Sequence, residues 1–232
     1  MVTFIQVPFE DKEKVKRLGA HYFPSRKLWY FEETEDPAKL CLWNTIETMP
    51  LAEFLLEAVK AEDPDRYWFK QRIALAYRYG RDGLPRNMKE AFYWMKKAAE
   101  AGCGLAWSQL GHMYEHDDEI PEKDRKREAF CCYEKGARLH NADCESDLGR
   151  AYRDAIGTKR DLAKAYELFV SAKNKGNEWA EYFLANMFYY GSYVQEDIPA
   201  AKQIFERLAE NAQNKLIQRK AKRCLSVYKR IG

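Results

Sequence analysis

The sequence predicts a mainly α fold: an α-solenoid of helix–turn–helix repeats behind a small N-terminal α+β domain. Three observations carry this. Two independent residue markers recur with one period of about 37 residues. Glycine, alanine and aromatic residues hold fixed places inside each period. The first 45 residues follow none of this pattern, which sets them apart as a separate unit.

In that first unit, residues 1–45, the stretch 3–9 is β-prone and Pro8 marks a strand end. Residues 10–18 read as a short charged helix whose only apolar anchors are Val15 and Leu18, and Gly19 ends it. Residues 28–31, Leu-Trp-Tyr-Phe, read as a further strand after the turn at Pro24-Ser25. Residues 46–65 are expected to form a helical connector, with an apolar helix over 51–61 and a boundary at Asp63-Pro64.

Residues 66–212 hold the repeat. The aromatic of the first half recurs at Tyr77, Tyr114, Tyr152 and Phe188, in steps of 37, 38 and 36. The alanine of the second half recurs at Ala91, Ala129, Ala165 and Ala201, in steps of 38, 36 and 36. Leu110, Gly111 and Tyr114 share one helical stripe, so the small residue lets a paired helix approach while the ring fills the next turn. In the second half, Ala91 and Ala98, Ala129 and Gly136, and Ala165 and Ala172 form a seam of small residues seven apart. Asn87, Asp161 and Asp197 stand four residues before that alanine, where a side-chain oxygen caps the second helix. Gly102 and Gly176 suit left-handed C-terminal caps. The second copy departs from this: Arg125 takes the capping position, and 117–127 reads as a charged loop without glycine. The fourth places Leu208 in the small-residue seam, which predicts a splayed helix pair.

Residues 213–232 are expected to form a basic capping helix over 215–231, with Leu216, Ala221, Leu225 and Tyr228 near one face. No acid follows Glu210, and seven Lys or Arg residues do. A solvated terminal helix with cations at its C-terminal dipole accounts for them, and a patch for nucleic acid is the alternative.

The repeat pattern resembles the Sel-1-like repeat, a relative of the tetratricopeptide repeat. That resemblance implies a scaffold that brings proteins together. The stretch from Val7-Pro8 through Leu18-Gly19-Ala20 to Lys27-Leu28-Trp29-Tyr30 is similar to a small domain of unknown function fused to conjugative-plasmid primases. It implies a bacterial or mobile-element origin and work near nucleic acid.

Bulk properties narrow the function. The balance of 39 Lys+Arg against 36 Asp+Glu, +3, is too small to imply a polyanion partner. Residues 1–60 carry 8 basic and 10 acidic side chains, net −2, which gives the primase-type hint no electrostatic support. The N-terminus has no signal-peptide pattern and no segment approaches the ~20 apolar residues of a membrane span. Six cysteines in a chain this long make no disulfide framework, so a reducing cytoplasm is the expected location and no membrane partner is expected.

For chemistry, His112-Met113-Tyr114-Glu115-His116 spells the inverted zincin motif H-x-x-E-H. Tyr114 is the core aromatic of its repeat, however, so both histidines occupy ordinary outward slots and a third ligand with an open position is missing. There is no phosphate loop and no nucleophile elbow. The expectation is therefore no enzyme, no cofactor and no metal. Instead, a protein or peptide ligand is expected on a groove lined by the first helices, in a monomer or weak dimer. The slots two before, two after and five or six after the repeat leucine supply Gln71, Arg78 and Tyr79; His112, Glu115 and His116; Arg150 and Arg153; and Tyr182, Asn186, Tyr189 and Tyr190. Arg78, Arg150 and Arg153 are expected to take a carboxylate, while Tyr182 also suits packing against its neighbour. The rival reading is an accessory factor that contacts nucleic acid through Arg26, Lys27, Trp29 and Tyr30 and through Arg219, Lys222 and Arg223.

Overall fold

A computed structural model describes residues 2–7, 12–17, 20–23, 28–32, 44–49, 53, 67–116 and 122–231. The chain divides into two compact units, Met1–Ala101 and Gly102–Gly232.

The first unit begins with a four-stranded antiparallel sheet in the order β2-β3-β1-β4. Its strands are β1 (Val2–Gln6), β2 (His21–Phe23), β3 (Leu28–Glu32) and β4 (Asn44–Met49), with helix α1 (Lys12–Arg17) after β1. Ile5 pairs with Trp29 and Phe4 with Tyr30 across β1 and β3, and β1 meets β4 across a register shift at Phe4/Ile5. Val2, Val15, Ala20 and Trp29 are buried. Strands β2 and β4 are elements the sequence pattern did not single out. Residues 46–49, expected to begin the helical connector, belong instead to β4; of the expected apolar helix over 51–61 only Glu53 is among the described residues, and Arg26 and Lys27 lie outside them.

The same unit holds the first helix pair, α2 (Tyr67–Tyr79) and α3 (Met88–Glu100), packed on each other. Its cap forms as expected: the Asn87 Oδ1 accepts from the Glu90 amide at 3.2 Å.

The second unit continues the pattern with pairs α4 (Gly104–Glu115) and α5 (Glu122–Arg138), α6 (Ala142–Asp154) and α7 (Leu162–Asn174), and α8 (Glu178–Tyr190) and α9 (Ile198–Asn211). Helix α10 (Lys215–Ile231) packs on α9 and α8. Within this unit first helices also contact one another, α4 with α6 and α6 with α8. This is the arrangement of a helical solenoid. Asp161 and Asp197 cap α7 and α9, accepting from the Lys164 amide at 3.0 Å and the Ala200 amide at 2.9 Å. Gly102 and Gly176 take φ of +96° and +84°, where a Cβ is strained.

Two sequence expectations change in this unit. The stretch read as a loop over 117–127 is helical from Glu122, so Arg125 lies inside α5 and no cap is needed there. In α10 the residue that anchors the helix is Ile217, fully buried with Ala221, whereas Leu216 is 44% exposed. Leu208, in the seam of the fourth pair, is buried beside Ala185, Ile217 and Ala221. Cys103 is the N-cap residue of α4 and stands just outside the helix.

Besides its buried face, helix α10 is held at its start by a side chain of α8. The carboxylate of Glu178 accepts from the backbone amides of Gln213 and Asn214, at 2.6 and 3.0 Å. The Asn214 Oδ1 in turn accepts from Leu216 at 2.9 Å. Glu178→Ala removes the acceptor for two donors at a helix start and is expected to cost about 1 kcal/mol. Native-state hydrogen exchange would show it as faster exchange in α10 alone. Equal acceleration in α6 and α7 would refute a local tether.

Candidate functional site

The first helices of the second unit line a groove of about 410 Å³. Ser108 and His112 come from α4, Asp143, Ser146, Asp147 and Arg150 from α6, and Trp179 and Phe183 from α8. A helix places residues three or four apart on one face, so each first helix contributes one stripe to the same wall.

A hydrogen-bonded network fixes the floor. The Arg150 guanidinium donates to Glu115 Oε1 at 2.8 Å and to the Tyr133 hydroxyl at 3.3 Å. That hydroxyl donates to the same Glu115 oxygen at 3.1 Å and lies 3.3 Å from His112 Nδ1. On its other side, His112 Nε2 is 3.1 Å from Asp147 Oδ2, and Ser108 Oγ donates to that oxygen at 2.7 Å. Burial, with Asp147 and Glu115 nearby, pushes the Tyr133 phenol far above its ordinary range, so it remains a donor. Burial alone would pull Arg150 down, but the hydrogen bond and charge of Glu115 hold it above its usual value. At the groove edge Asp143 accepts from Asn177 Nδ2 at 2.8 Å; burial and then the charge of Asp147 raise its pKa.

A second depression of about 370 Å³ lies along the same two helices, α6 and α8. It is lined by Arg153, Asp154, Arg160, Tyr182, Asn186, Tyr190 and Lys220, and it shares Phe183 with the first. Arg153 holds Asp154 through two hydrogen bonds of 2.7 Å and stacks over the Phe183 ring at 4.4 Å.

Of the residues expected on the groove, His112 and Arg150 line the first depression, and Arg153, Tyr182, Asn186 and Tyr190 the second. Glu115 sits beneath, engaged by Arg150, and His116 is exposed at the C-cap of α4. Tyr189 packs edge-on to Tyr190 at 4.7 Å. Tyr182 packs against Phe205 and Trp179 and also lines the depression. Gln71, Arg78 and Tyr79 belong to α2 in the other unit, where Arg78 and Arg81 lie 5.3 and 4.8 Å from the exposed Tyr79 ring. Arg150 and Arg153 were expected to take a carboxylate from a ligand. Each already holds one from this chain, because the facing slots carry Glu115 and Asp154.

His112, Glu115 and His116 bring ligand atoms within 4.8 Å of one another. Glu115 Oε1 already accepts from Arg150 and Tyr133, and His112 Nε2 faces Asp147, so a cation there would compete with both pairs. Among the contacts assigned to nucleic acid, Trp29 is buried against Tyr22, and Arg219, Lys222 and Arg223 are exposed on α10. Tyr30 lies in β3, paired with Phe4 and His21. Burial raises the thiols of Cys103 and Cys144, which keeps them protonated core groups.

Sequence reasoning missed Asp143, Asp147, Trp179 and Phe183. A signal for them existed. Asp143, Asp147, Arg150 and Asp154 form one helical stripe, and Trp179, Phe183, Asn186 and Tyr190 repeat it 36 residues later. Tyr133 left no such signal, since it comes from a second helix and lies fully buried beneath the groove, its hydroxyl bonded to Glu115 and Arg150.

The family described as Sel1 repeat matches at residues 72–103, 108–141, 142–177 and 180–212, together more than half of the chain. A domain of unknown function (DUF5710) matches residues 3–44. Among solved structures, the chain is similar to a Sel1 repeat protein from Oxalobacter formigenes, with 24% identity over 70% of this chain and 65% of that one, at a TM-score of 0.60. It is also similar to c5321, a protective antigen of uropathogenic Escherichia coli displaying an SLR fold. The identity there is 21% over 87% of this chain and 40% of that one, at a TM-score of 0.60. A Sel1 repeat protein from Klebsiella pneumoniae subsp. pneumoniae aligns at 19% identity over 73% and 78%, with a TM-score of 0.53. At these identities the likeness is one of fold, and the chain spans less than two thirds of the first two proteins. Among the described residues, no helix is long and apolar enough to cross a membrane.

Proposed function

The chain belongs to the Sel1 repeat family, and from that premise we propose that it is a non-catalytic protein-binding adaptor working in the cytoplasm through the groove of its first helices. One observation carries the proposal. Within 102–232 the first helices present aromatic rings, Trp179, Phe183 and the 68%-exposed Tyr190, beside charged groups that are already positioned by internal hydrogen bonds. Rings on a rigid helix bury much area at low entropic cost, which is how interface anchors act. The network of Arg150, Glu115 and Tyr133 fits a scaffold role better than catalysis: its groups neutralise one another and leave no base or nucleophile poised.

The test is a nuclease-treated pull-down from the source organism at about 0.3 M salt, where phosphate-driven binding has fallen steeply. The baits are the intact chain and Trp179→Ala/Tyr190→Ala. A partner held by the first and lost by the second, through about 2 kcal/mol or more of anchor energy, is the expected result. Equal recovery by both baits would remove the groove as the binding surface. Loss of all binding on nuclease treatment would favour contact through the basic α10.

A further inference from the structure

The two depressions along α6 and α8 differ in charge. In the first, two lining carboxylates, Asp143 and Asp147, stand with one permanent cation, Arg150, which Glu115 beneath the groove already engages at 2.8 Å; His112 adds charge only when protonated. Asp147 lies farther from that guanidinium, at 3.9 Å, and among the described residues Asp143 has the neutral Asn177 amide as its hydrogen-bond partner. Its raised pKa reflects burial and the neighbouring Asp147, the state of a site short of positive charge. Trp179 stands beside these carboxylates, and ring faces attract cations, whereas the Phe183 ring already carries Arg153 at 4.4 Å. In the second depression the balance is reversed. Arg153 already neutralises Asp154, and Arg160 and Lys220 add two further cations, with Lys220 lying 5.9 Å from the Trp179 ring centre.

Resting on the groove assignment above, we propose that the occupant is an extended peptide segment of a protein partner carrying a Lys or Arg side chain and, about three residues away, an Asp or Glu. The basic side chain enters between Asp143, Asp147 and Trp179, and the acidic one meets Arg160 and Lys220. The spacing follows from the helix that forms the wall. Asp147 and Asp154 are two turns apart on α6, about 10 Å along its axis. An extended chain covers that in about three residues. Phe183, which lines both depressions, lies under the intervening backbone. Opposite charges placed in this order select for register as well as for composition, because a slipped or reversed segment puts like charges together.

The probe is a displayed library of random decapeptides, selected on the full-length chain. Selected peptides are expected to be enriched in a Lys or Arg paired with an Asp or Glu two to four positions away, in one chain direction. Asp143→Asn keeps the Asn177 hydrogen bond and should reduce the preference for the basic residue about tenfold while leaving the acidic one. Arg160→Gln/Lys220→Gln should do the converse. Enriched peptides without the charge pair, or a pair preference unchanged in both variants, would overturn the inference. If such peptides are still lost on Trp179→Ala/Tyr190→Ala, the groove reading survives and only the charge pairing fails. If no peptide is enriched, the inference fails, and the pull-down decides the adaptor reading separately.

Discussion

Replacing Arg150 by alanine is expected to destabilise the second unit by about 3 kcal/mol. The guanidinium and the Glu115 carboxylate it engages at 2.8 Å are only 19% and 12% exposed, so neither is well solvated by bulk water. Removing the cation leaves Glu115 with the Tyr133 hydroxyl as its remaining hydrogen-bond partner, and that hydroxyl loses the Arg150 donor as well. Breaking one side of a buried pair costs far more than the pair itself contributes, because the surviving charge stays desolvated. Arg150→Met/Glu115→Gln, which removes both charges and keeps most of the volume, should therefore recover at least half of the loss. Urea denaturation of the two variants and the parent gives the comparison directly. A loss below about 1 kcal/mol for Arg150→Ala would place this pair with solvent-exposed ion pairs and would discount the network as a rigid floor.

Gly136→Ala is the second large effect, and its sign is the point. Helix propensity alone predicts that alanine in place of a mid-helix glycine stabilises α5 by about 1 kcal/mol. Packing predicts the opposite. A Cβ at Gly136 would lie 2.0 Å from Cys144 Sγ, 2.8 Å from Cys144 Cβ and 2.9 Å from Trp107 Cβ. Both Cβ neighbours are attached directly to the backbones of α6 and α4, so they cannot swing aside as the tip of a long side chain would. Forcing three helices apart costs about 3 kcal/mol, leaving a net loss of about 2 kcal/mol. Cys144→Ala in the same background removes the closest atom and not the Cβ contacts, so it should restore part of the stability and not all of it. A gain in stability for Gly136→Ala would show that the three-helix junction is looser than the geometry implies.

Both variants bear on how far the chain could be read before its structure was known. The repeat, its period, three of the N-terminal caps and the extent of α10 were all legible. These features depend on local spacing: a cap needs an oxygen three residues from an amide, and an aromatic one turn from a small residue marks a stripe in any solenoid. The seam role of Gly136 was legible for the same reason. What lay across the seam was not. The choice of Ile217 over Leu216 as the buried anchor of α10 rests on a rotation of that helix that either residue's hydrophobicity would permit.

The groove divides along the same line. Spacing along one helix singled out His112, Arg150, Arg153, Asn186 and Tyr190, which line the two depressions. The pairings came from helices 17 to 39 residues apart, Arg150 with Glu115 and Tyr133, Ser108 with Asp147, and no periodicity encodes which of several outward slots will meet. Local sequence decided which residues form each helix and which stripe each one buries, because those are short-range steric and hydrogen-bonding matters. The tertiary structure alone decided which charges are spent internally and which are left for a ligand, because that depends on angles between helices that only the packed core sets.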